Sequence, residues 1–114
     1  MPSTAKAHVA AYFTALVNAS PKTQDEIAKE VGLDSVNVIS MIKTGRTKLP
    51  LARIPAFAKA LETDPREMLA VALEAYQPEL YGVLSTIAPS MLVSSNELRI
   101  IHALRTAART GILK

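Results

Sequence analysis

The chain contains no cysteine and no tryptophan. Without thiols it can hold no disulfide, no thiolate metal site and no nucleophilic or redox cysteine. Aromatic residues are 4% of a chain that is 49% hydrophobic, so its core has to be built from Ala, Leu, Ile and Val. That composition suits packed helices better than sheets. No apolar run approaches the roughly 20 residues needed to cross a bilayer, and the N-terminus lacks the basic-then-apolar layout of a secretory signal. A cytoplasmic protein is expected. The two histidines, His8 and His102, lie far apart, neither with a ligand neighbour at metal spacing, and no metal or cofactor is expected. A phosphate loop of the form GxxxxGK[ST] is missing too, as is any nucleophile with a base at hand, which makes an enzyme the least expected reading.

The most informative absence is local. Between Asp34 and Glu62 there is no carboxylate, while Lys43, Arg46, Lys48, Arg53 and Lys59 all fall there, in a chain whose formal net charge is only +3. Such an asymmetry marks a surface that a polyanion can approach.

At 114 residues the chain is about one domain, long enough to bury a core without staples. Its periodicity predicts helices throughout. Ser3 or Thr4 can cap a first helix to about Asn18, with Val9, Tyr12, Phe13, Leu16 and Val17 on one stripe. Tyr12 and Phe13 are read as core rather than as base-stacking platforms, and His8 as a surface or half-buried helix residue rather than a catalytic one. Pro21 breaks the chain before Thr23-Gln24-Asp25-Glu26, a capping box, after which Ile27, Ala28 and Val31 recur at helical spacing. Gly32 stops that helix. Asp34 or Ser35 can cap a second short helix at about 35–44, with Ile39 and Ile42 inward and Gly45 at its end. A further helix is expected from about Leu51 to Glu62, facing inward through Ile54, Phe57, Ala58 and Leu61, with Arg53 and Lys59 outward. Thr63-Asp64-Pro65 opens another to about Tyr76, and Pro78 begins one more, ending near Ile87. Residues 88 to 94 read as a linker apolar enough to pack on something. A second capping box, Ser94-Ser95-Asn96-Glu97, opens a last helix to about Arg109, apolar through Leu98, Ile100, Ile101, Leu104, Ala107 and Ala108 over an arc wide enough to require partners on two sides. Arg99, Arg105 and Arg109 form its opposing edge, read as solvated.

The side of the second short helix left to water, Ser35, Val36, Asn37, Ser40, Met41, Lys43 and Thr44, holds no acid. Asn suits bidentate pairing with adenine, Ser can donate to or accept from several base edges, and Val or Met can touch a thymine methyl. Two short helices around a tight turn, followed by a basic loop, read as a helix-turn-helix DNA-binding unit.

These residues also carry a family resemblance. The run TQxEIAxxxG, then ISMIKTGRTK, then PxxxxPxxAxAL, resembles the Cro and phage repressor type of helix-turn-helix protein, the Xre family of bacterial regulators, over roughly Thr23 to Leu73. The resemblance implies a compact helical bundle that acts as a dimer on a partly palindromic operator in double-stranded DNA. Base reading would fall on Ser35, Val36, Asn37, Ser40 and Met41. Phosphate contacts would fall on Thr23, Gln24, Lys43, Thr44, Arg46, Lys48 and Arg53. The stretch GLDSVNVIS is a residue longer than the commonest family spacing, so Ser35, Val36 and Asn37 are offered as a set without an order.

The expected organisation is an all-α fold: a DNA-binding domain over residues 1–76 and a C-terminal helical extension over 77–114. That extension would dimerise through Leu98, Ile101, Leu104 and Ala108. The expected function is a dimeric, sequence-specific transcriptional regulator, a repressor above all; the sequence names no small-molecule effector. Two alternatives stand beside it. One is an antitoxin-type DNA-binding protein whose C-terminal region binds a partner protein. The other is a helix-turn-helix interaction module without DNA, against which the missing carboxylates argue.

Overall fold

The helical stripe of the first segment meets its expectation. In a computed structural model, which describes residues 4 to 92, α1 runs Thr4–Ala19 and buries Val9, Phe13 and Val17. Expectations for residues 94 to 109, including Leu98, Ile101, Leu104 and Ala108, lie outside the described residues.

α2 runs Gln24–Val31 and both arms of its capping box are formed: the Glu26 N–H donates to the Thr23 hydroxyl, and the Thr23 N–H donates to the Glu26 carboxylate, each at 3.1 Å. These two bonds satisfy N–H groups that the first turn cannot pair internally. The Thr23 N–H first, and its hydroxyl next, hold the Glu26 carboxyl below its ordinary pKa. Because the folded value is depressed, the contribution is complete above the unfolded glutamate value of about 4.3 and is lost as pH falls through the folded value. The Thr23 amide proton is therefore expected to shift along an acid titration with a midpoint below that of a free glutamate. A midpoint at the free value would show the box to be unformed in solution.

At the other end of α2, Gly32 takes φ 82°, its N–H and that of Leu33 both reaching the Ala28 carbonyl at 3.0 and 2.9 Å. The left-handed residue costs glycine nothing and turns the chain sharply. α3 then runs Asn37–Lys43, shorter than the expected 35–44. Of the two candidate caps, Ser35 acts, its hydroxyl accepting the Asn37 N–H at 3.1 Å. Val36 takes a helical conformation ahead of the helix, and the N–H groups of Val38 and Ile39 reach back only three residues, to Ser35 and Val36. The opening turn is thus wound more tightly than an α-helix. Ile39 and Ile42 are buried as expected.

A short 3-10 turn over Leu51–Arg53 leads into α4, Ile54–Ala60. This replaces the single helix expected from Leu51 to Glu62. Pro55 sits in the first turn of α4, where its missing N–H has least effect. The far end closes when Glu62 takes φ 55° and the Thr63 N–H reaches the Ala58 carbonyl at 2.9 Å. α5, Pro65–Tyr76, starts on the Asp64 carboxylate, which accepts the Arg66 N–H at 2.8 Å. α6 follows over Pro78–Ile87, and a 3-10 turn over Pro89–Met91 ends in Leu92, which is buried.

Six helices and no strand stand among the described residues, an all-α fold as the composition requires. None of those helices is long and apolar enough to cross a membrane. The core gathers the inner faces of α1 to α5 around two rings, Phe13 and Phe57, packed edge to face with centroids 5.2 Å apart. A smaller cluster of Ala70, Leu73 and Leu92 lies under Tyr81 and Leu84 and seats α6 on α5. Of the stretch read as an apolar linker, Leu92 packs, while Pro89, Ser90 and Met91 are exposed.

One core partner was not legible in the sequence. Glu67 is 1% exposed and accepts the Tyr12 hydroxyl proton at 3.1 Å. Tyr12 is thus a half-buried bridge from α1 to α5 as well as a packing residue. Glu67 stands in the first turn of α5, where the helix dipole favours a carboxylate.

Candidate nucleic-acid interface

α3 is held in place from its buried side and left open on the other. The Lys43 carbonyl, one of the unpaired acceptors of the helix end, takes the Thr14 hydroxyl of α1 at 3.1 Å. The Thr44 hydroxyl turns back to the Ser40 and Met41 carbonyls at 3.1 and 3.2 Å. Gly45, at φ 79°, lets the chain leave the helix beside Ala10. Ile39 and Ile42 point into the core, so helical geometry places Asn37, Ser40, Met41 and Thr44 outward. All four are exposed, Met41 by 40%. The Asn37 side-chain amide has no hydrogen-bond partner among the described residues, and both its donors and its acceptor face water.

Five residues were expected to form the reading face, and four of them do lie exposed: Ser35, Asn37, Ser40 and Met41. Val36 is the correction. It is only half-exposed and packs against the core cluster. Standing three residues before the buried Ile39, it lies on the flank of the inward stripe, where i and i+3 side chains are neighbours. Ser35 precedes the helix and engages its hydroxyl oxygen on the Asn37 N–H.

The flanking residues divide in the same way. Arg46 and Lys48 are exposed in the loop after α3. Gln24, at the first position of α2, comes alongside Ser40, whose hydroxyl donates to the Gln24 amide oxygen at 3.3 Å. The Gln24 amide N–H groups have no partner among the described residues and remain available as donors. Thr23 is exposed with its oxygen in the cap. Lys43 is half-buried and its ammonium donates to Asn18 at 3.4 Å, which draws it towards α1. Arg53 is turned away from the role expected of it. Its guanidinium donates to the Val31 carbonyl at 2.9 Å and to the Gly32 carbonyl at 3.4 Å, closing the end of α2. Cations are favoured at that end of a helix.

Sequence reasoning ended a helix at about Tyr76 and missed that residue's work on the basic loop. Its hydroxyl accepts the N–H of Leu49 at 2.9 Å, and the ammonium of Lys48 lies over its ring, 5.3 Å from the centroid. One side chain thus holds both the backbone and a cation of the segment that follows α3. Burial pushes the phenol above its ordinary pKa, partly opposed by the Leu49 N–H. Tyr76→Phe keeps the ring under Lys48 but strands the N–H of Leu49, a residue 1% exposed. It is expected to lower unfolding stability by about 1 to 3 kcal/mol, read from the midpoint of a urea titration at unchanged slope. An unchanged midpoint would mean that water replaces the hydroxyl at no cost.

Together the fold and this surface define an all-α domain that presents an uncharged polar helix face framed by cationic and amide donors. Among the described residues no group of acidic or histidine side chains is arranged to hold a metal ion. Comparisons with family models, with curated proteins and with solved structures find no match to the chain.

Proposed function

We propose that the protein is a sequence-specific double-stranded DNA-binding regulator, in which α2 and α3 act as a helix-turn-helix unit and α3 enters the major groove. The observation that carries this reading is the outward face of α3. Asn37, Ser40 and Met41 are exposed together, supply an amide, a hydroxyl and an apolar contact, and lie in a stretch from Ser35 to Leu61 that contains no carboxylate. A surface evolved to bind a protein groove has no need to exclude acids, whereas one that approaches phosphate does.

In this reading Gln24, Arg46 and Lys48 hold the sugar-phosphate backbone and set the register of α3, while Asn37, Ser40 and Met41 discriminate among base edges. The protein acts as a dimer, a repressor above all, with one α3 per half-site and half-sites about 10 base pairs apart. It works in the cytoplasm of a bacterium or on behalf of a phage, as the resemblance to the Xre family implies.

Selection from a random double-stranded DNA pool at about physiological salt, where sequence-independent binding is weak, tests it. A partly palindromic motif is the expected product. A single unpaired half-site would overturn the dimer, and recovery of no motif by folded protein would overturn sequence-specific binding.

A further inference from the structure

The helix α1 borders α3 and the basic loop, and one of its cations has no role in the reading above. Residues 6, 10, 14 and 18 of α1 recur every fourth position and so stand in one ridge. The end of α3 and the loop after it meet that ridge in order. The Lys43 ammonium donates to Asn18, the Thr14 hydroxyl donates to the Lys43 carbonyl, and Gly45 lies against Ala10. Lys6 is the last member. With Gly45, Thr47, Lys48 and Tyr76 it lines a small cavity of about 30 Å³, room for about two oxygen atoms.

The lining of this cavity is cationic and uncompensated. Lys6 and Lys48 both border it, no carboxylate does, and neither lysine is in an ion pair among the described residues. Like charges on one cavity repel. A cation in the first turn of a helix, where Lys6 stands, also opposes the helix dipole, and α1 carries no acid to offset either effect. The Thr47 hydroxyl, on the same cavity, has no hydrogen-bond partner among the described residues. Lys48 is held where it is, its ammonium over the Tyr76 ring and the N–H of the next residue on the Tyr76 hydroxyl.

We propose that this cavity seats a phosphate of the DNA backbone between Lys6 of α1 and Lys48 of the loop, with the Thr47 hydroxyl as a third donor. The inference rests on the DNA reading above and adds α1 to the surface that reading uses. Two ammonium groups and a hydroxyl are donors of the kind that phosphate oxygens accept. Space for two oxygens fits the two non-bridging oxygens of a phosphodiester, whose remaining atoms stay outside. The site is continuous with the reading face, because Gly45 and Thr47 follow α3 directly. Residues 1 to 24 contain no carboxylate, so nothing on α1 repels a strand that passes along it.

The test measures the salt dependence of binding by the full-length chain to the selected duplex and to a random one. Lys6→Ala is expected to make the slope of log affinity against log salt shallower by about 0.9, and to weaken both duplexes roughly fivefold near 0.15 M salt if binding at 1 M is unaffected. Lys6→Arg is expected to keep the wild-type slope. So is Lys59→Ala, which removes an exposed cation from α4, a helix that packs on α2 and α5. Ethylation of single phosphates locates the contact: a phosphate whose ethylation weakens the wild type is expected to lose that effect in Lys6→Ala. An unchanged slope in Lys6→Ala, beside a loss in Arg46→Ala/Lys48→Ala, overturns the inference and leaves the DNA reading standing. An equal loss in Lys59→Ala overturns it in favour of a diffuse charge effect. Inorganic phosphate that stabilises the wild type but not Lys6→Ala at matched ionic strength, with no change in the DNA slope, assigns the cavity to a free anion and overturns it too. If the wild-type chain binds neither duplex, the DNA reading itself fails and this inference with it.

Discussion

Phe57→Ala is expected to lower the free energy of unfolding by about 3 to 5 kcal/mol, which is a large share of the roughly 5 to 15 kcal/mol that holds a domain of this size together. The ring is 0% exposed and meets Phe13 edge to face at 5.2 Å, and these are the only two phenylalanines in the chain. The surrounding core is Ile, Val, Leu, Met and Ala, branched or small side chains with little reach to refill a ring-sized void. Truncation therefore forfeits both the apolar area and the contacts across the cavity. Phe57→Leu keeps most of the volume and is expected to cost clearly less. Urea unfolding of the two variants side by side is the measurement. A loss below about 1 kcal/mol for the alanine variant would mean that the helices do not converge on this ring.

For DNA the largest effect is expected from the basic loop. Arg46→Ala/Lys48→Ala removes two exposed cations, of which only Lys48 gives up a contact among the described residues, that with the Tyr76 ring. Each phosphate contact contributes about 0.9 to the slope of log affinity against log salt. The double variant should therefore show a slope shallower by about two units, and near 0.15 M salt a loss of roughly fivefold per contact if binding at 1 M is unaffected. Cognate and random DNA should weaken together, because phosphate carries no sequence information. Asn37→Ala provides the contrast: about 1 to 3 kcal/mol lost at the cognate site, discrimination relaxed at one base position, and random DNA bound as before. The Asn37 side chain has no bond within the described residues to lose, so a change in binding would come from the interface. If the loop variant behaves as expected and Asn37→Ala leaves specificity intact, the reading face is misplaced. If neither alters binding, the protein does not use this surface on DNA.

Local chemistry accounts for what could be read in advance about this surface. The capping box at Thr23 and Glu26, the left-handed glycines at 32 and 45 and the inward Ile39 and Ile42 are each set by residues a few positions apart. Exposure of Asn37, Ser40 and Met41 follows from helical periodicity once Ile39 and Ile42 are inside. Val36 is read from the sequence as outward although it stands three residues before Ile39, at a spacing that shares a helix face, and the core takes it up in part. Arg53 escaped local reading because the carbonyls it caps, at Val31 and Gly32, are far from it along the chain.

The sequence by itself determined the class of the fold, the positions of most helix ends and the acid-free character of the stretch around α3. These are short-range properties: propensity, capping and periodicity act within a turn or two of chain. Only the tertiary structure decided that Tyr76 would clamp the loop of Lys48 and Leu49, that Glu67 would be buried under Tyr12, and that α1 would bring Lys6 to the cavity beside Lys48. Each of those outcomes joins residues 27 to 55 positions apart. Such pairings arise from how the helices pack, and no local pattern encodes them.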